Sequence, residues 1–493
     1  MSSGSGSAKV VVVGAGFAGL SAAAALSKAG FQHIQVLEAK DRVGGRVHTV
    51  RPFGPNIIEL GANWIHGQKD NPLFKLAKEH KLLSENESAS ATMCLPGSVT
   101  PRDYFFTERG KPLPVEEVER VCDHFSRLTS KAFDSKLDKK HWSLSLGAYL
   151  DDAFARSPLA SPEGLKIFEW CKRSECTDEA SSSLYEVSAS QISNYVALDG
   201  GFFNCLGPAG YQAILDCILK SIQSGAVLTN VCVQRIEWAL DDGDGARGHP
   251  VKVVCEGGQS FEADHVIVTV SLGVLKRQAW AMFRPPLPKS KLEAIESLDL
   301  GTVDKIYLQF DERFWPEDCA GIQLVWDEGP ESKCAYESLQ EGESWKETWY
   351  KKICGFDTVA RHPNVLCGWI TGREALHMET LKDEEVGEVC VRLLRSFTGW
   401  LVPDVSQVLF TRWGHDPFVQ GSYTFIPHNV NGVKQHKALA APLPLPSDSS
   451  KRKALQILFA GEATHVEFYT TTHGAYLTGI REAERIIDHY LTA

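Results

Sequence analysis

The stretch Lys9 to Glu38, KVVVVGAGFAGLSAAAALSKAGFQHIQVLE, fits one supersecondary unit and little else. Val10 to Val13 are consecutive β-branched residues, as expected of a strand buried on both faces of a parallel sheet. Gly14-Ala15-Gly16-Phe17-Ala18-Gly19 then gives G-x-G-x-x-G at a strand-to-helix turn. In that pattern the first glycine permits the tight turn, the second lets backbone approach a pyrophosphate, and the third lets the helix pack on the strand. The Ala-rich run Ser21 to Ala29 favours a helix that Gly30 closes. A second strand, Ile34 to Leu37, ends at Glu38. A carboxylate about 20 residues beyond the glycines accepts hydrogen bonds from the ribose hydroxyls of an adenosine and disfavours a 2′-phosphate. The unit therefore predicts a βαβ dinucleotide site that excludes NADP.

At 493 residues the chain exceeds what one hydrophobic core supports, so two domains are expected. A formal charge of −11 argues against nucleic acid as a partner and favours cationic ligands through the summed field. The thirteen cysteines are scattered, with no C-x-x-C pair and no His/Cys cluster at zinc spacing. They read as free thiols in a reducing compartment, without a metal site. Met1 to Ser7 lacks the basic and apolar regions of a signal peptide, and no apolar run reaches the roughly 20 residues of a membrane span. A cytoplasmic protein without a membrane anchor is expected, and the sequon Asn86-Glu87-Ser88 is expected to stay unmodified. The tripeptide Ser135-Lys136-Leu137 is internal, and the chain as given ends Leu491-Thr492-Ala493, which is no peroxisomal address.

Beyond Glu38, Ala39 leads into Asp41-Arg42-Val43-Gly44-Gly45-Arg46-Val47. Its open amides and guanidinium groups suit a diphosphate. In Glu59-Leu60-Gly61-Ala62-Asn63-Trp64-Ile65-His66-Gly67, small residues let backbone press against a flat ligand; a lone histidine such as His66 is more often structural than catalytic. From about Asn71 to Leu184 apolar residues recur at helical spacing, as in Val118, Val121, Phe125 and Leu128, predicting an inserted helical region. Strands are expected over Ala226 to Trp238, where Val233 and Ile236 can clamp an adenine, over Val251 to Cys255, and over Phe261 to Val270. Strands and helices then alternate: Lys305 to Phe310, Ile322 to Trp326, Val365 to Thr371, and the helical Glu384 to Thr398. On a period of two, Lys305 shares a face with Tyr307 and Gln309, opposite Ile306, Leu308 and Phe310, which makes it a solvated strand lysine. The C-terminal part holds Arg412-Trp413-Gly414, Gly421-Ser422-Tyr423, a strand Gln456 to Phe459, Gly461-Glu462-Ala463-Thr464-His465, and Thr470-Thr471-Thr472-His473-Gly474 before a last helix from about Gly474 to Tyr490. Threonines crowded at a helix start can place hydroxyls and amides on a ligand's carbonyl oxygens.

Taken in order, the N-terminal unit, GGRV, LGANWIHG, GTVDKIYLQF, TRWG, GSY, FAGEATH and TTTHGA resemble the flavin-containing amine oxidases, and among them the soluble polyamine oxidases of vertebrate type, over nearly the whole chain. The resemblance implies an α/β fold: a Rossmann-like, glutathione-reductase-like FAD domain from residues 1–85, 200–285 and 400–493, and an α+β substrate domain from residues 86–199 and 286–399. It implies FAD contacts at Gly14, Ala15, Gly16, Phe17, Ala18, Gly19, Glu38, Ala39, Gly45, Arg46, Gly61, Ala62, Asn63, Trp64, Val233, Trp413, Gly461, Glu462, Thr471 and Thr472. Lys305 matches the family lysine that holds a water against flavin N5, which reverses the solvated reading, and His66 matches a tunnel histidine. With Tyr423 facing the reacting amine, these are the implied catalytic residues.

Two departures from the family carry expectations. Monoamine oxidases attach flavin to a cysteine before a tyrosine; Ser422 precedes Tyr423 here, so noncovalent FAD is expected. Their second cage tyrosine falls on Thr471, leaving Tyr423 a single aromatic wall. The implied reaction oxidises a secondary amine of N1-acetylspermine, N1-acetylspermidine and spermine to an imine, which hydrolyses to an aminoaldehyde and a shorter polyamine, while O2 becomes H2O2. Glu186 and Ser188 stand where spermine oxidases receive a free terminal ammonium, so the substrate contacts expected are His66, Glu186, Ser188, Tyr423, Thr470 and Thr471. Strict spermine oxidation is the alternative. Histone-demethylase and non-enzymatic GDP-dissociation-inhibitor roles are the remote ones: the demethylases carry a coiled-coil tower, for which this sequence has no long heptad stretch, and the inhibitors lack the flavin-contact set, of which Lys305, Trp413 and Tyr423 are kept here. The expected partners are polyamines and O2, in a monomer; the family also allows a peroxisomal location.

Overall fold

The computed structural model describes residues 7–84, 102–134, 137–138, 141–239, 248–327, 344–444 and 454–491. The Asn86 sequon, Ser135 and Lys136 of the internal tripeptide, and the terminal Thr492-Ala493 lie outside the described residues. Lys9–Val13, helix Phe17–Lys28 and His33–Leu37 form the βαβ unit. They sit within a parallel sheet ordered Ile457–Phe459, His265–Val268, Lys9–Val13, His33–Leu37, Val227–Leu228. Val10 and Val12 face one core with Leu20, Ala22, Ala23, Leu26 and Ile486; Val11 and Val13 face another with Val266, Val268 and Phe459. Burial on both faces is why the strand carries valine without alternation. The last helix, Thr472–Leu491, lies against helix Phe17–Lys28 so closely that a Cβ on Gly479 would stand 2.0 Å from the Ala18 carbonyl oxygen.

The second sheet is mixed, ordered Gln407–Phe410, Val303–Gln309, His362–Thr371, Gly355–Val359, Gly321–Val325, Asp103–Thr107. Its last strand corrects the expectation of an all-helical insert: Asp103–Thr107 pairs in parallel with Gly321–Val325, and Phe105 and Phe106 are buried. Five residues are too few to show a period, and only the distant partner strand makes them a strand. The helices Val115–Phe133, Leu146–Phe154 and Pro162–Glu179 do form and pack together around Phe125, Phe154, Phe168 and Trp170. The strand expected over Ala226 to Trp238 divides at Asn230, whose φ is +58°, into Val227–Leu228 of the parallel sheet and Val233–Glu237 of a small sheet above it. Asparagine is one of the few residues that enter this left-handed region readily. Among the described residues no helix is long and apolar enough to cross a membrane, and no group of three His, Cys, Asp or Glu is placed to hold a metal.

Candidate active site

A cavity of about 840 Å³ runs from the glycine turn of the parallel sheet to the face of the mixed sheet. At its first end Gly14 has φ +103°, and a Cβ on Gly19 would stand 1.9 Å from the Gly14 carbonyl oxygen, so the motif's first and third glycines are sterically required. Glu38 is buried and oriented by two amides, Ala15 N to Oε2 at 2.7 Å and Lys40 N to Oε1 at 3.0 Å. Gly14, Gly16, Phe17, Ala18, Glu38, Ala39, Gly45, Arg46 and Val233 all line this end. Ala15 and Gly19 lie beneath it, Ala15 tied to Gly44 by a 2.8 Å backbone bond. The N-termini of helices Phe17–Lys28 and Thr472–Leu491 open onto the same space through Phe17 and Thr472. Unsatisfied amides and an adverse field for cations make such ends anion sites. A carboxylate set for ribose, glycine backbone and two helix N-termini fit the adenosine diphosphate half of a dinucleotide.

Midway, Arg46 Nη1 pairs with Glu462 Oε1 at 2.9 Å and donates to the Ser422 carbonyl at 2.7 Å. Glu462 also accepts from Thr424 Oγ1 and from the Thr470 amide, each at 2.9 Å. That network joins the GGRV turn, the GSY strand and the threonine cluster. A Cβ on Gly61 would meet the Arg46 carbonyl oxygen at 1.8 Å, so Gly61, Ala62, Asn63 and Trp64 are held against the turn as a floor of the cavity. Trp413 Nε1 donates to the Leu60 carbonyl at 3.3 Å. Gly461, Thr470, Thr471 and Thr472 line the opposite side. The Thr471 and Thr472 hydroxyls are engaged, contrary to expectation. Thr471 Oγ1 donates to Phe468 O at 2.8 Å and accepts from Gly474 N at 3.0 Å, while Thr472 Oγ1 bonds Tyr211 Oη at 2.9 Å. Capping the last helix takes precedence over ligand contact, leaving the backbone amides for the latter.

Lys305 is buried in strand Val303–Gln309 and lines the cavity, so the solvated reading from periodicity is overturned. Both faces of this strand are covered, and the face of Lys305 and Tyr307 packs against residues 59–63. Nζ donates to Glu59 O at 2.8 Å, Gly61 O at 2.5 Å and Asn63 Oδ1 at 2.6 Å, and lies 4.8 Å from the centre of the Trp369 ring. Burial lowers its pKa to about 8, against the raising pull of Cys367 and Glu59. An ammonium has three donors, and all three are spent. A water at Nζ requires release of one partner, and Asn63 is the side chain among them.

Tyr423 donates its hydroxyl to the Thr177 carbonyl, which leaves the ring as the surface it offers the cavity. Ser422 Oγ is tied to Val303 by bonds of 2.8 and 2.9 Å. His66 contacts Phe202 and Phe203, with ring centroids at 4.7 and 5.5 Å; burial lowers its pKa to about 4, and Nδ1 has no partner among the described residues. It is a neutral imidazole at the cavity wall.

Glu186 and Ser188 do not line the cavity. Glu186 Oε2 accepts from the Ser182 amide at 3.1 Å, closing a local turn, and Ser188 is buried with Oγ accepting from Gln191 N at 3.4 Å. The acids that do face it beyond Glu38 and Glu462 are Asp134, at the end of helix Val115–Phe133, and Glu175, Asp178 and Glu179, in the last turn of helix Pro162–Glu179. The signal of the last three in the sequence, E-C-T-D-E, is an ordinary acidic turn, and only tertiary placement distinguishes it. Trp369 was missed for the same reason: it alternates outward on His362–Thr371 and meets Lys305 across the pair Lys305–Trp369.

A Rossmann-like cradle sharing one cavity with a buried lysine of a second sheet defines a dinucleotide-dependent oxidoreductase. The model of the flavin containing amine oxidoreductases matches residues 17–487, and the chain belongs to that family, with FAD as its cofactor. It is 36% identical over 499 residues to the human peroxisomal N(1)-acetyl-spermine/spermidine oxidase, covering 98% of this chain and 95% of that protein. The bovine protein of the same name is 35% identical over 496 residues, covering 97% and 94%. Among solved structures, a redesigned putrescine oxidase superposes with a TM-score of 0.68 at 20% identity, covering 98% of this chain and 99% of that one, a likeness of fold.

Proposed function

We propose that this chain is an FAD-dependent polyamine oxidase, acting on a secondary amine of N1-acetylspermine, N1-acetylspermidine and spermine. The observation that carries the reading is the single cavity that begins at Glu38, passes Lys305 and Tyr423, and ends at a turn of three carboxyl groups. The names of the human and bovine relatives point the same way. When bound, FAD supplies the two-electron acceptor for the amine and returns the electrons to O2 as H2O2.

The chain's own residues then have separable tasks. Glu38 and the glycine backbone hold the adenosine diphosphate end. Tyr423 and Trp369 confine the reacting carbon between aromatic faces. Lys305, once Asn63 releases it, orients the water that hydrolyses the imine or carries a proton. His66, neutral at physiological pH, offers an imidazole nitrogen to the substrate chain. Purified protein mixed with N1-acetylspermine or spermine in air should give H2O2 and an aminoaldehyde in equal amounts. Finding neither product with either amine, from protein that carries FAD, would contradict the reading.

A further inference from the structure

We infer that Asp304 and Glu379 share a single buried proton, and that this pair positions Trp413 and Lys305 in the wall of the FAD cavity. Neither carboxyl lines the cavity; both act through the residues they hold. The inference depends on FAD and not on which amine is oxidised.

Asp304 stands on the wrong face of its strand for an acid. Alternation in Val303–Gln309 puts it with Ile306 and Leu308, on the side opposite Lys305, and all three are buried. Ala375 and Met378 of helix Gly372–Met378 belong to the same apolar core as Ile306 and Leu308. An unpaired carboxylate there carries a desolvation cost that only a cation or a proton relieves. Among the described residues no cation is turned to it. The Lys305 ammonium is bonded to residues 59–63. Arg412 is occupied by the Glu379 and Leu381 carbonyls and the Asp383 carboxylate, at 3.1, 3.5 and 2.7 Å. His415, half exposed, bonds Glu379.

The hydrogen bonds say where the proton sits. Asp304 Oδ1 accepts from Thr411 Oγ1 at 2.6 Å and from the Trp413 amide at 3.3 Å. Oδ2 is buried with no donor facing it among the described residues, while the carboxyl as a whole is hydrogen-bonded to Glu379. Glu379 is supplied with donors: Oε1 takes the Gly414 amide at 2.7 Å, and Oε2 takes the His415 amide at 2.8 Å and the His415 Nδ1–H. Such donors favour an ionised carboxylate. Glu379 therefore keeps the charge, and Asp304 Oδ2 carries the proton and donates it. Burial first, then the charge of Glu379 and the bond to it, raise Asp304 well above the ordinary carboxylate range, against the lowering bonds from Thr411 and Trp413.

The pair locks two parts of the cavity wall together. Thr411 Oγ1 also accepts from the Lys305 amide at 2.9 Å, and the Thr411 amide donates to the Lys305 carbonyl at 3.1 Å. The turn Trp413-Gly414-His415 is gripped amide by amide, the first by Asp304 and the next two by Glu379. A Cβ on Gly414 would stand 2.2 Å from Leu376 Cδ2, so the turn is pressed on helix Gly372–Met378. Trp413 and Lys305 both line the cavity, and Asp416, just beyond the turn, pairs with Lys40 beside Glu38.

The native chain holds a proton that an unfolded Asp304 releases near about pH 4. Wild-type stability therefore falls as the pH rises from there toward the raised native value. An asparagine at 304 has the same shape, with an N–H donor that needs no proton from solution.

The test compares isosteres, reading the FAD Kd from release on dilution of the holoenzyme, and the holoenzyme's melting temperature against pH. Asp304→Leu should raise the FAD Kd at least about tenfold. Asp304→Asn, which donates Nδ2–H to Glu379 and accepts on Oδ1, should bring it back to within about twofold of wild type. Its melting temperature should exceed the wild type's by a margin that grows from about pH 5 to about pH 9. Glu379→Gln should lose FAD as Asp304→Leu does, because its Nε2 meets the Gly414 or the His415 amide whichever way it turns. Should Asp304→Leu not fold, the contrast between Asp304→Asn and Glu379→Gln decides alone. Tolerance of Glu379→Gln with loss in Asp304→Asn would put the proton on Glu379 and overturn the assignment. A melting-temperature margin that stays constant or shrinks as the pH rises would show Asp304 to be ionised and overturn it too. Equal FAD affinity in all three variants would remove the pair from the positioning of the cavity wall. None of these readouts uses a substrate, so their failure is separate from a failure of the polyamine reading.

Discussion

Lys305 shows what one side chain's surroundings decide. Its strand alternates as a half-exposed strand should, yet Nζ is enclosed by Glu59 O, Gly61 O and Asn63 Oδ1. Periodicity reports which residues share a face, and a face can be covered by a segment hundreds of residues away. The motif around Lys305 was legible as a resemblance; its burial was not. Lys305→Met should keep FAD but slow the reductive or the oxidative half-reaction in stopped-flow by at least about tenfold, roughly 1.4 kcal/mol of barrier. Unchanged rates in both would return the lysine to a packing role. Glu186 was misread in the opposite sense, since short acidic motifs do not reveal where a turn points. With its carboxylate on the Ser182 amide, Glu186→Leu should change kcat/KM for spermine and N1-acetylspermine by the same factor and cost stability of about 1 kcal/mol, one hydrogen bond. A loss confined to spermine would put Glu186 back in the substrate path.

Elements with a long period or a turn signature were readable. The βαβ unit and the helix Asp383–Thr398 with Gly399 at φ +67° lie where valine runs, helical spacing and glycine predict them, whereas the strand expected over Phe261 to Val270 divides into Ser260–Ala263 and His265–Val268, which belong to different sheets. The short strands were not. Asp103–Thr107 exists because Gly321–Val325 is beside it, and the break at Asn230 depends on two sheets competing for one segment. Close approach, by contrast, is written in glycine. Because a Cβ at Gly19 would overlap the Gly14 carbonyl, Gly19→Ala should push helix Phe17–Lys28 off its strand and weaken the phosphate cradle. The purified variant should come out largely as colourless apoprotein, its flavin content measured against protein absorbance. Full flavin occupancy would show that the helix can shift without disturbing the cradle.

On the scale of the whole molecule, the cavity lies where the parallel sheet, the mixed sheet and the helical insert meet, and no one segment contains it. That is why candidate residues for the dinucleotide end, drawn from contiguous motifs, could be named from the sequence, while those of the acidic end could not. Ser422 is an alcohol bonded to Val303 backbone, so acid precipitation should release the yellow colour into the supernatant; flavin left in the pellet would mean a covalent link. The most direct test of the central claim is anaerobic titration of the purified yellow protein with spermine and N1-acetylspermine, followed by absorbance. Oxidised flavin should bleach with about one equivalent of amine, and readmitted O2 should restore the colour with release of H2O2. A protein that holds its FAD and stays yellow with every polyamine offered would contradict it.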